Sequence, residues 1–451
     1  MNKALQLPTQ SAMMDPSFLY GVATSSFQIE GAANKRLPCI WDTFCDKPGK
    51  IADSSHGLVA CEHVQRFRED VKLLVKLGVD AYRFSISWPR VMTQDGKLNE
   101  EGIGFYEQLI AALHAEGIRA FVTLYHWDLP QYLEDQGGWL NRQTAYEFEK
   151  YADAVVARLG DTVASYATFN EPYCSAFLGY EIGVHAPGLT GVKNGRTAAH
   201  HILLAHGLGM QAIRRHTKQA QAGIVLNFTP CYSRTNTDAD HKATNDADEY
   251  INQWYIKPLL DGRYPDVIDK LPLEQRPPIE AGDFATMQQP MDFLGVNFYT
   301  RLTYSASDDP SQLYIEHQHL SPQTDMGWEI CPAALTTLLT KLNGMYKLPP
   351  IYITENGAAM DDKLVDGEVN DLDRIAYYQS HLQAVNNAIE QGVAVHGYFA
   401  WSLMDNFEWA EGYLKRFGLV HVDYSTQERK FKASAHAYRG LIEQRNYATA
   451  I

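Results

Sequence analysis

Short strand-like runs alternate with helical segments along the chain, and this alternation limits the possible folds more than any other sequence feature. The run AYRFS at 81–85 has the character of a buried strand, and the apolar series before it keeps helical spacing until Gly78. Amphipathic helices separate several such runs, so the strands are expected to be parallel. Eight strands are predicted: Phe18–Ala23, Ala81–Ser85, Arg119–Tyr125, Val163–Phe169, Gly223–Asn227, Phe293–Phe298, Ile351–Thr354 and Val395–Trp401.

Periodicity alone leaves two parallel α/β architectures open, a doubly wound sheet and a closed barrel. Polar and aromatic residues favour the barrel because they gather at or just past the strand ends: Arg83, His126, Trp127, Asn170, Glu171, Asn227, Asn297, Tyr299, Glu355, Asn356 and Trp401. In a (β/α)8 barrel all these ends meet at one face, where active sites lie. We therefore predict a (β/α)8 TIM barrel with elaborated βα loops.

The chain is expected to form one domain. No internal repeat, low-complexity tract or Gly/Ser/Pro-rich linker divides its 451 residues. Length alone would favour about two or three domains, but barrels absorb long loops into one. The expectation is a catalytic (β/α)8 domain over residues 1–451.

Composition disfavours several classes of partner. The chain has 54 acidic and 39 basic residues, a net charge of −15, which opposes binding to nucleic acid and anionic membranes. Residues 1–14 lack the apolar stretch of a signal peptide, and no apolar run reaches transmembrane length. The six cysteines include no CxxC pair, so reduced thiols are the default. We expect a cytoplasmic enzyme for a neutral small molecule, with a homo-oligomer left open.

Two glutamates follow predicted strands in settings that place them at the barrel rim. Glu171 comes after strand 163–169 and before Pro172, which prevents regular pairing at that point. Glu355 follows strand 351–354 and precedes an Asn-Gly turn signal. Cleavage of a glycosidic bond needs one carboxyl group to donate a proton and another to stabilise positive charge at the sugar carbon. One such glutamate alone is more often a cap or a surface charge, so the pair carries the prediction.

Ordered motifs along nearly the whole chain resemble glycoside hydrolase family 1, the family of retaining β-glucosidases and β-galactosidases. The motifs are FLYGVAT at 18–24, QIEG at 28–31, YRFSISWPR at 82–90, LYHWDLP at 124–130, TFNEP at 168–172 and ITENG at 353–357. Agreement at all of them in order is far more specific than any one motif. The resemblance implies a barrel that hydrolyses β-glycosides with retention of configuration and needs no cofactor.

The resemblance also implies roles for individual residues. It makes Glu171 the general acid/base and Glu355 the nucleophile, and Arg83 and Tyr299 are expected to contact the nucleophile and hold it ionised. The negative charge of Glu355 should favour the protonated form of Glu171. Sugar hydroxyls need fixed hydrogen-bond partners, and the apolar ring face packs on aromatic side chains. The residues expected to bind substrate are Gln28, His126, Trp127, Asn170, Asn297, Trp328, Trp401, Glu408 and Trp409.

Some positions depart from the family pattern. Trp328 resembles an aromatic platform on the aglycone side, although an aromatic residue in an insertion loop could equally cap the barrel. Cys331 stands where the family often has an aromatic residue, which weakens the carry-over of aglycone contacts. The stretch GLVACEHV at 57–64 also departs from the common pattern, outside the catalytic set.

Other chemistries have less support in the sequence. It contains no HExxH, P-loop or GxGxxG motif, and the helical spacing of His200, His201 and His206 splits them across faces, so no metal site is predicted. A phospho-β-glycosidase of this family uses a serine, lysine and tyrosine group where this chain has Glu408, which would repel a phosphate. A non-catalytic carbohydrate-binding barrel, the remaining alternative, typically lacks one of the two carboxylates.

Overall fold

Eight parallel strands form a closed barrel in the computed structural model, which describes residues 4–309, 312–318 and 322–448. Neighbours in the sequence pair with each other, and the last strand pairs with the first, from Leu19 opposite Gly397 to Ala23 opposite Trp401. The predicted (β/α)8 barrel is therefore confirmed over the doubly wound sheet. The strands are β1 (Leu19–Ala23), β2 (Ala81–Ser85), β3 (Arg119–Tyr125), β4 (Ser165–Asn170), β5 (Gln221–Asn227), β6 (Phe293–Asn297), β7 (Ile351–Asn356) and β8 (Val395–Trp401).

The helices around the barrel begin and end at residues that favour such boundaries. The helix after β1 ends at Gly78, whose φ of 75° is a left-handed conformation that glycine adopts without strain. The helix after β2 follows Asn99, whose side chain accepts hydrogen bonds from the first backbone amides. The helices are α1 (His63–Leu77), α2 (Glu100–Ala115), α3 (Gln143–Leu159), α4 (Val192–His216), α5 (Trp254–Asp261), α6 (Pro332–Met345), α7 (Leu372–Glu390) and α8 (Ala433–Ala448).

The connections carry shorter elements. Short helical segments span Ala12–Met14, Ser26–Ile29, Ala33–Lys35, Ile40–Cys45, Trp88–Val91, Gln131–Glu134, Gly138–Leu140, Gly160–Thr162, Cys174–Ile182, Asp238–Asp248, Glu249–Gln253, Asp266–Lys270, Leu273–Gln275, Asp283–Met287 and Trp409–Glu411. Small sheets join Cys231–Ser233, Leu302–Ser305 and Ile315–His317, Leu364–Val365 with Glu368–Val369, and Val420–Val422 with Arg429–Phe431. Among the described helices, none combines the length and apolar character that a bilayer crossing requires.

Two strands end later than the sequence suggested, and both carry candidate site residues. β4 runs to Asn170 and β7 runs to Asn356, one and two residues beyond the expected ends. β7 continues through a register shift that sets Glu355 opposite Asn297 of β6. Backbone pairing therefore holds Glu355 inside a strand rather than in a loop.

Aromatic side chains fill the interior of the barrel. The Phe121 ring lies 5.0 Å from that of Phe399 and 5.5 Å from that of Tyr352, and all three residues are buried. Such packing makes the interior a solid core rather than a pore. The face at the carboxyl ends of the strands is where polar side chains collect.

Gly357 allows the end of β7 to pack directly on β8. A Cβ atom at this position would lie 1.8 Å from the carbonyl oxygen of Trp401. We expect Gly357→Ala to lower the free energy of unfolding by about 1–3 kcal/mol, the usual cost of overpacking. Gly344 in α6 has open space around it, so Gly344→Ala should keep or raise the Tm. Thermal unfolding of both variants checks this, and equal Tm values would contradict it.

Candidate active site

The carboxyl group of Glu355 is held through both of its oxygens. Nη1 of Arg83 donates to Oε1 at 2.7 Å, and the hydroxyl of Tyr299 donates to Oε2 at 2.6 Å. Glu355 and Arg83 are almost fully buried, at 3% and 2% exposure. A guanidinium and a hydroxyl together stabilise a negative charge that has left water.

Glu171 stands directly after β4 in a left-handed backbone conformation, with φ of 48°. Its Oε1 accepts a hydrogen bond from Nδ2 of Asn297 at 2.7 Å, and its Oε2 lies 3.1 Å from Sγ of Cys174. Two neutral groups therefore contact this carboxyl group, in contrast to the cation that contacts Glu355.

A chain of amides connects the two carboxyl groups. Oδ1 of Asn170 accepts hydrogen bonds from Nη2 of Arg83 at 2.7 Å and from Nδ2 of Asn297 at 3.0 Å. The hydroxyl of Thr354 donates to Oδ1 of Asn297 at 2.7 Å, which orients that amide to donate toward Glu171. The strands β2, β4, β6 and β7 thus each contribute side chains to one network.

The environments of the carboxyl groups affect their protonation. The pKa of Glu171 is raised to about 8. Burial is the main cause of this shift, and the negative charge of Glu355 is the second. The sequence indicated the charge of Glu355 as the cause of this shift, whereas burial of Glu171 contributes more. Burial followed by the charge of Glu355 raises the pKa of Tyr299 well above its usual range, so its hydroxyl remains a donor.

These residues border a cleft of about 680 Å³ at the carboxyl end of the barrel. Sequence-predicted residues that line it are His126, Trp127, Glu171, Asn297, Tyr299, Trp328, Glu355, Trp401, Glu408 and Trp409. The remaining three, Gln28, Arg83 and Asn170, are buried and each hydrogen bonds to a residue on the cleft wall. The structure thus brings together every residue of the predicted set.

Aromatic rings form one wall of the cleft. The ring of His126 stacks at 5.9 Å on both Trp401 and Trp409, with interplanar angles of 16° and 15°. Trp127 packs 4.5 Å from Trp409, and its Nε1 donates to the carbonyl of Asn170 at 2.9 Å. Burial and the charge of Arg83 hold the pKa of His126 well below its usual range, so the imidazole is neutral.

Glu408 adds a third carboxyl group to the cleft. Nε2 of Gln28 lies 3.5 Å from its Oε2 and donates more closely to the carbonyl of Phe407, at 2.8 Å. Burial first, and then the charges of Glu355 and Glu171, raise the pKa of Glu408 to about 8. Glu408 therefore presents a carboxyl group that can both accept and, when protonated, donate a hydrogen bond.

Besides the predicted Trp328, the outer wall of the cleft contains residues that the sequence did not single out. Trp328 lies on this wall, with its ring 5.3 Å from Tyr299 and 6.1 Å from Phe417. Arg301 and Glu329 form an ion pair beside it, with Nε to Oε2 at 2.9 Å. Met326, His185 and Cys174 also border the cleft. In the sequence, the motif MGWE at 326–329 indicated this wall. No sequence pattern near Cys174 indicated that its thiol would border the cleft.

The three histidines of α4 contact four separate protein groups. His200 lies between the hydroxyl of Tyr264 and the carboxyl of Asp283, at 2.9 and 2.7 Å. Nδ1 of His201 lies 2.8 Å from the carbonyl of Trp139, and Nδ1 of His206 lies 2.7 Å from the hydroxyl of Thr168. Within the described residues, no group of three or more His, Cys, Asp or Glu side chains could hold a metal ion.

Comparison with known proteins agrees with this geometry. Residues 10–447 match glycosyl hydrolase family 1. A β-glucosidase from Agrobacterium sp. is 44% identical over 443 residues, which cover 96% of this chain and 96% of that protein. The chain belongs to glycosyl hydrolase family 1.

Two further proteins show how close the likeness is. A bifunctional β-D-glucosidase/β-D-fucosidase from Bifidobacterium breve is 44% identical over 458 residues, with 94% of this chain and 97% of that protein covered. The solved structure of a Thermotoga maritima family 1 glycoside hydrolase with a cyclophellitol analogue transition state mimic has a TM-score of 0.92 at 40% identity, covering 95% of this chain and 98% of that one.

The raised pKa of Glu171 should make stability depend on pH. Between the ordinary carboxyl pKa and about 8, the folded protein holds a proton here that the unfolded chain has lost, so stability falls as pH rises through this window. Glu171→Gln removes this titration. We expect its Tm advantage over the unmodified protein to grow from pH 5 to pH 8 in thermal unfolding. Exposed Glu274 supplies the control Glu274→Gln, and the same pH trend in both variants would contradict the expectation.

Proposed function

We propose that this chain is a retaining β-glucosidase. It hydrolyses terminal non-reducing β-D-glucosyl residues of small glycosides and cello-oligosaccharides, with side activity on β-galactosides or β-fucosides. The observation that carries the proposal is a pair of buried glutamates at one barrel mouth, one bound by a guanidinium and one with its pKa raised to about 8. The β-glucosidase and β-fucosidase activities named for the relatives support this substrate class.

In the first step, Glu355 is the nucleophile. A carboxylate oxygen attacks C1 of the sugar and forms a glycosyl ester, while the proton of Glu171 passes to the departing glycosidic oxygen. Arg83 and Tyr299 orient the carboxylate for this attack. A pKa of about 8 supports Glu171 as the acid because it keeps the proton in place at neutral pH.

In the second step, Glu171 is the base. Formation of the ester removes the negative charge of Glu355, so one cause of the raised pKa of Glu171 disappears when this residue must be ionised. Glu171 then takes a proton from water, the water oxygen attacks C1, and Glu355 is released. Retention by this route requires the two carboxyl groups to lie about 5–5.5 Å apart.

The other residues of the cleft bind the glycone. Glu408 and Gln28 hydrogen bond to the outer hydroxyls, and Trp401 and Trp409 pack on the apolar side of the ring. Asn170 contacts the 2-hydroxyl, a bond that strengthens in the transition state. His126, Trp127 and Asn297 complete the glycone wall, and Trp328 contacts the aglycone.

The same proposal covers the setting in which the enzyme acts. Residues 1–451 work as one catalytic domain on glycosides in the cytoplasm, without nucleic acid or membrane as partner. None of the six cysteines forms a disulfide, which supports a reducing compartment. The mass in solution measures whether copies associate as a homo-oligomer.

The first test examines the assigned roles with β-glucosides. Glu355→Ala should abolish turnover, and Glu171→Ala should slow alkyl glucosides far more than activated aryl glucosides, because only poor leaving groups need a proton. Initial product of the unmodified enzyme, followed by NMR, should keep the β configuration. External azide should restore part of both losses. Inverted product, or near-normal activity of Glu355→Ala, would refute the double displacement.

The second test separates free from phosphorylated sugars. Replacing the Glu408 carboxyl with a hydroxyl in Glu408→Ser should lower kcat/KM on a β-glucoside by about 100-fold or more, because substrate hydroxyls lose a buried carboxyl partner that can both accept and donate hydrogen bonds. Exposed Glu428 gives the control Glu428→Ser, which should leave kcat/KM unchanged. Equal or higher activity of the unmodified enzyme on 6-phospho-β-glucosides would favour the phospho-β-glycosidase alternative.

A further inference from the structure

The thiol of Cys174 lies against the carboxyl group of Glu171. Its Sγ is 3.1 Å from Oε2, and the backbone amide of Cys174 donates to the carbonyl of Glu171 at 3.0 Å. This backbone turn fixes the thiol on the same side of the chain as the carboxyl group. Cys174 is 8% exposed and forms part of the cleft wall. The thiol is therefore held in place beside a group that must change its protonation state twice in each turnover.

The other contact of Glu171 determines which oxygen can carry the proton. Oε1 accepts from the amide of Asn297, and that amide is oriented by the hydroxyl of Thr354 at its own oxygen. An amide N–H donates only, so Oε1 is an acceptor in both protonation states. The exchangeable proton of Glu171 belongs on Oε2, the oxygen that faces Cys174.

A thiol suits this position because it can reverse its role. S–H donates weakly to a carboxylate, and sulfur accepts weakly from a carboxylic acid. Burial, with the charge of Glu171 next, raises the pKa of Cys174 well above its usual range, so the group stays a thiol. A weak partner stabilises neither state so strongly that the proton becomes hard to move.

We propose that Cys174 is a positioning residue for the acid/base, donating its S–H to Oε2 of Glu171 when that group is ionised and accepting from it when it is protonated. The proposal rests on the proposed function. Atoms and charges balance without any further reactant, because the thiol keeps its own proton throughout.

Other groups also face Glu171 and set the background for any titration. Glu355 of β7 and Glu408 after β8 oppose its ionisation, whereas Arg83 of β2 favours it. Tyr299 after β6 stays neutral, as does His126 directly after β3. On the segment of Cys174 itself, Tyr173 has its pKa raised beyond its usual range by burial.

The effect of removing the thiol has a definite sign. S–H donation stabilises ionised Glu171 and so opposes the causes that raise its pKa. Cys174→Ala should therefore raise the alkaline midpoint of kcat/KM, where Glu171 loses its proton. A hydroxyl is a stronger donor than a thiol, so Cys174→Ser should have a midpoint at or below that of the unmodified enzyme.

The experiment measures pH profiles of kcat/KM with an alkyl β-glucoside, whose poor leaving group needs the proton of Glu171. We expect a rise of roughly half a pH unit for Cys174→Ala, consistent with a weak donor to a charged acceptor. With a dinitrophenyl β-glucoside, kcat/KM at its plateau should stay within about twofold, because this leaving group needs little protonation. Cys45→Ser, outside the cleft, is the matched control and should leave both profiles unchanged.

A double-mutant cycle excludes a general packing effect. In a Glu171→Gln background the alkaline limb that Glu171 causes is absent, so adding Cys174→Ala should leave the pH profile measured with the dinitrophenyl β-glucoside unchanged. The proposal is overturned if the midpoints of the Ala and Ser variants equal that of the unmodified enzyme, if they rise together, or if both substrates slow equally. If Cys174→Ala does not fold, a raised midpoint in Cys174→Ser is by itself sufficient to overturn the proposal. Absence of any β-glucosidase activity in the unmodified enzyme would instead refute the proposed function.

Discussion

The contact of Arg83 with two other strands is the interaction on which the site depends. From the middle of β2 its guanidinium donates to Glu355 on β7 and to Asn170 on β4, both at 2.7 Å. A guanidinium and a carboxylate lose a large hydration free energy on burial, and they recover it only when geometry and further hydrogen bonds are good. Here the planar fork meets both acceptors at once. The relative positions of three strand ends are therefore tied to one cation, and the distance between the two glutamates follows from the barrel.

A second buried ionic network supports the loop that carries Glu408. Asp405, four residues beyond β8, accepts from Nζ of Lys432 at 2.6 Å and from the amide of Gly418 at 3.0 Å. Lys432 is fully buried and also pairs with Asp362, which binds Arg374 of α7. Removing one member would leave an unpaired buried charge, so the loop has few alternative conformations. This rigidity allows the Glu408 carboxyl group to remain in a cleft that already holds two others.

How much of the site could be predicted depends on how far apart in the sequence its interacting residues lie. Arg83, Glu171 and Glu355 could be recognised because each lies in or directly after a strand, and a strand and its end are local patterns. The contact of Cys174 with Glu171 depends on the backbone turn between them, which the composition of the segment does not indicate. The ion pair of Arg301 with Glu329 joins the two ends of the connection between β6 and α6, 28 residues apart in the sequence. Burial is the main cause of the raised pKa of Glu171, and several loops together produce that burial. The sequence therefore indicated only the second cause, the neighbouring negative charge of Glu355.

Three of the nine non-glycine residues with positive φ in the described part of the chain border the cleft, and their backbone strain bears on why these side chains are present. Trp127, Glu171 and Trp409 have φ values of 79°, 48° and 49°, in the left-handed region where a bulky residue costs on the order of 1 kcal/mol or more. Glycine would relieve this cost at each position. The chain instead has two tryptophans that pack 4.5 Å apart and a glutamate that reaches Asn297. Packing of the large rings offsets part of this strain. The backbone preference for glycine is nevertheless overridden at three positions around one cleft, which indicates that the side chains themselves are required there. Aromatic faces beside a proton-holding carboxyl group are what a sugar ring and its glycosidic oxygen need.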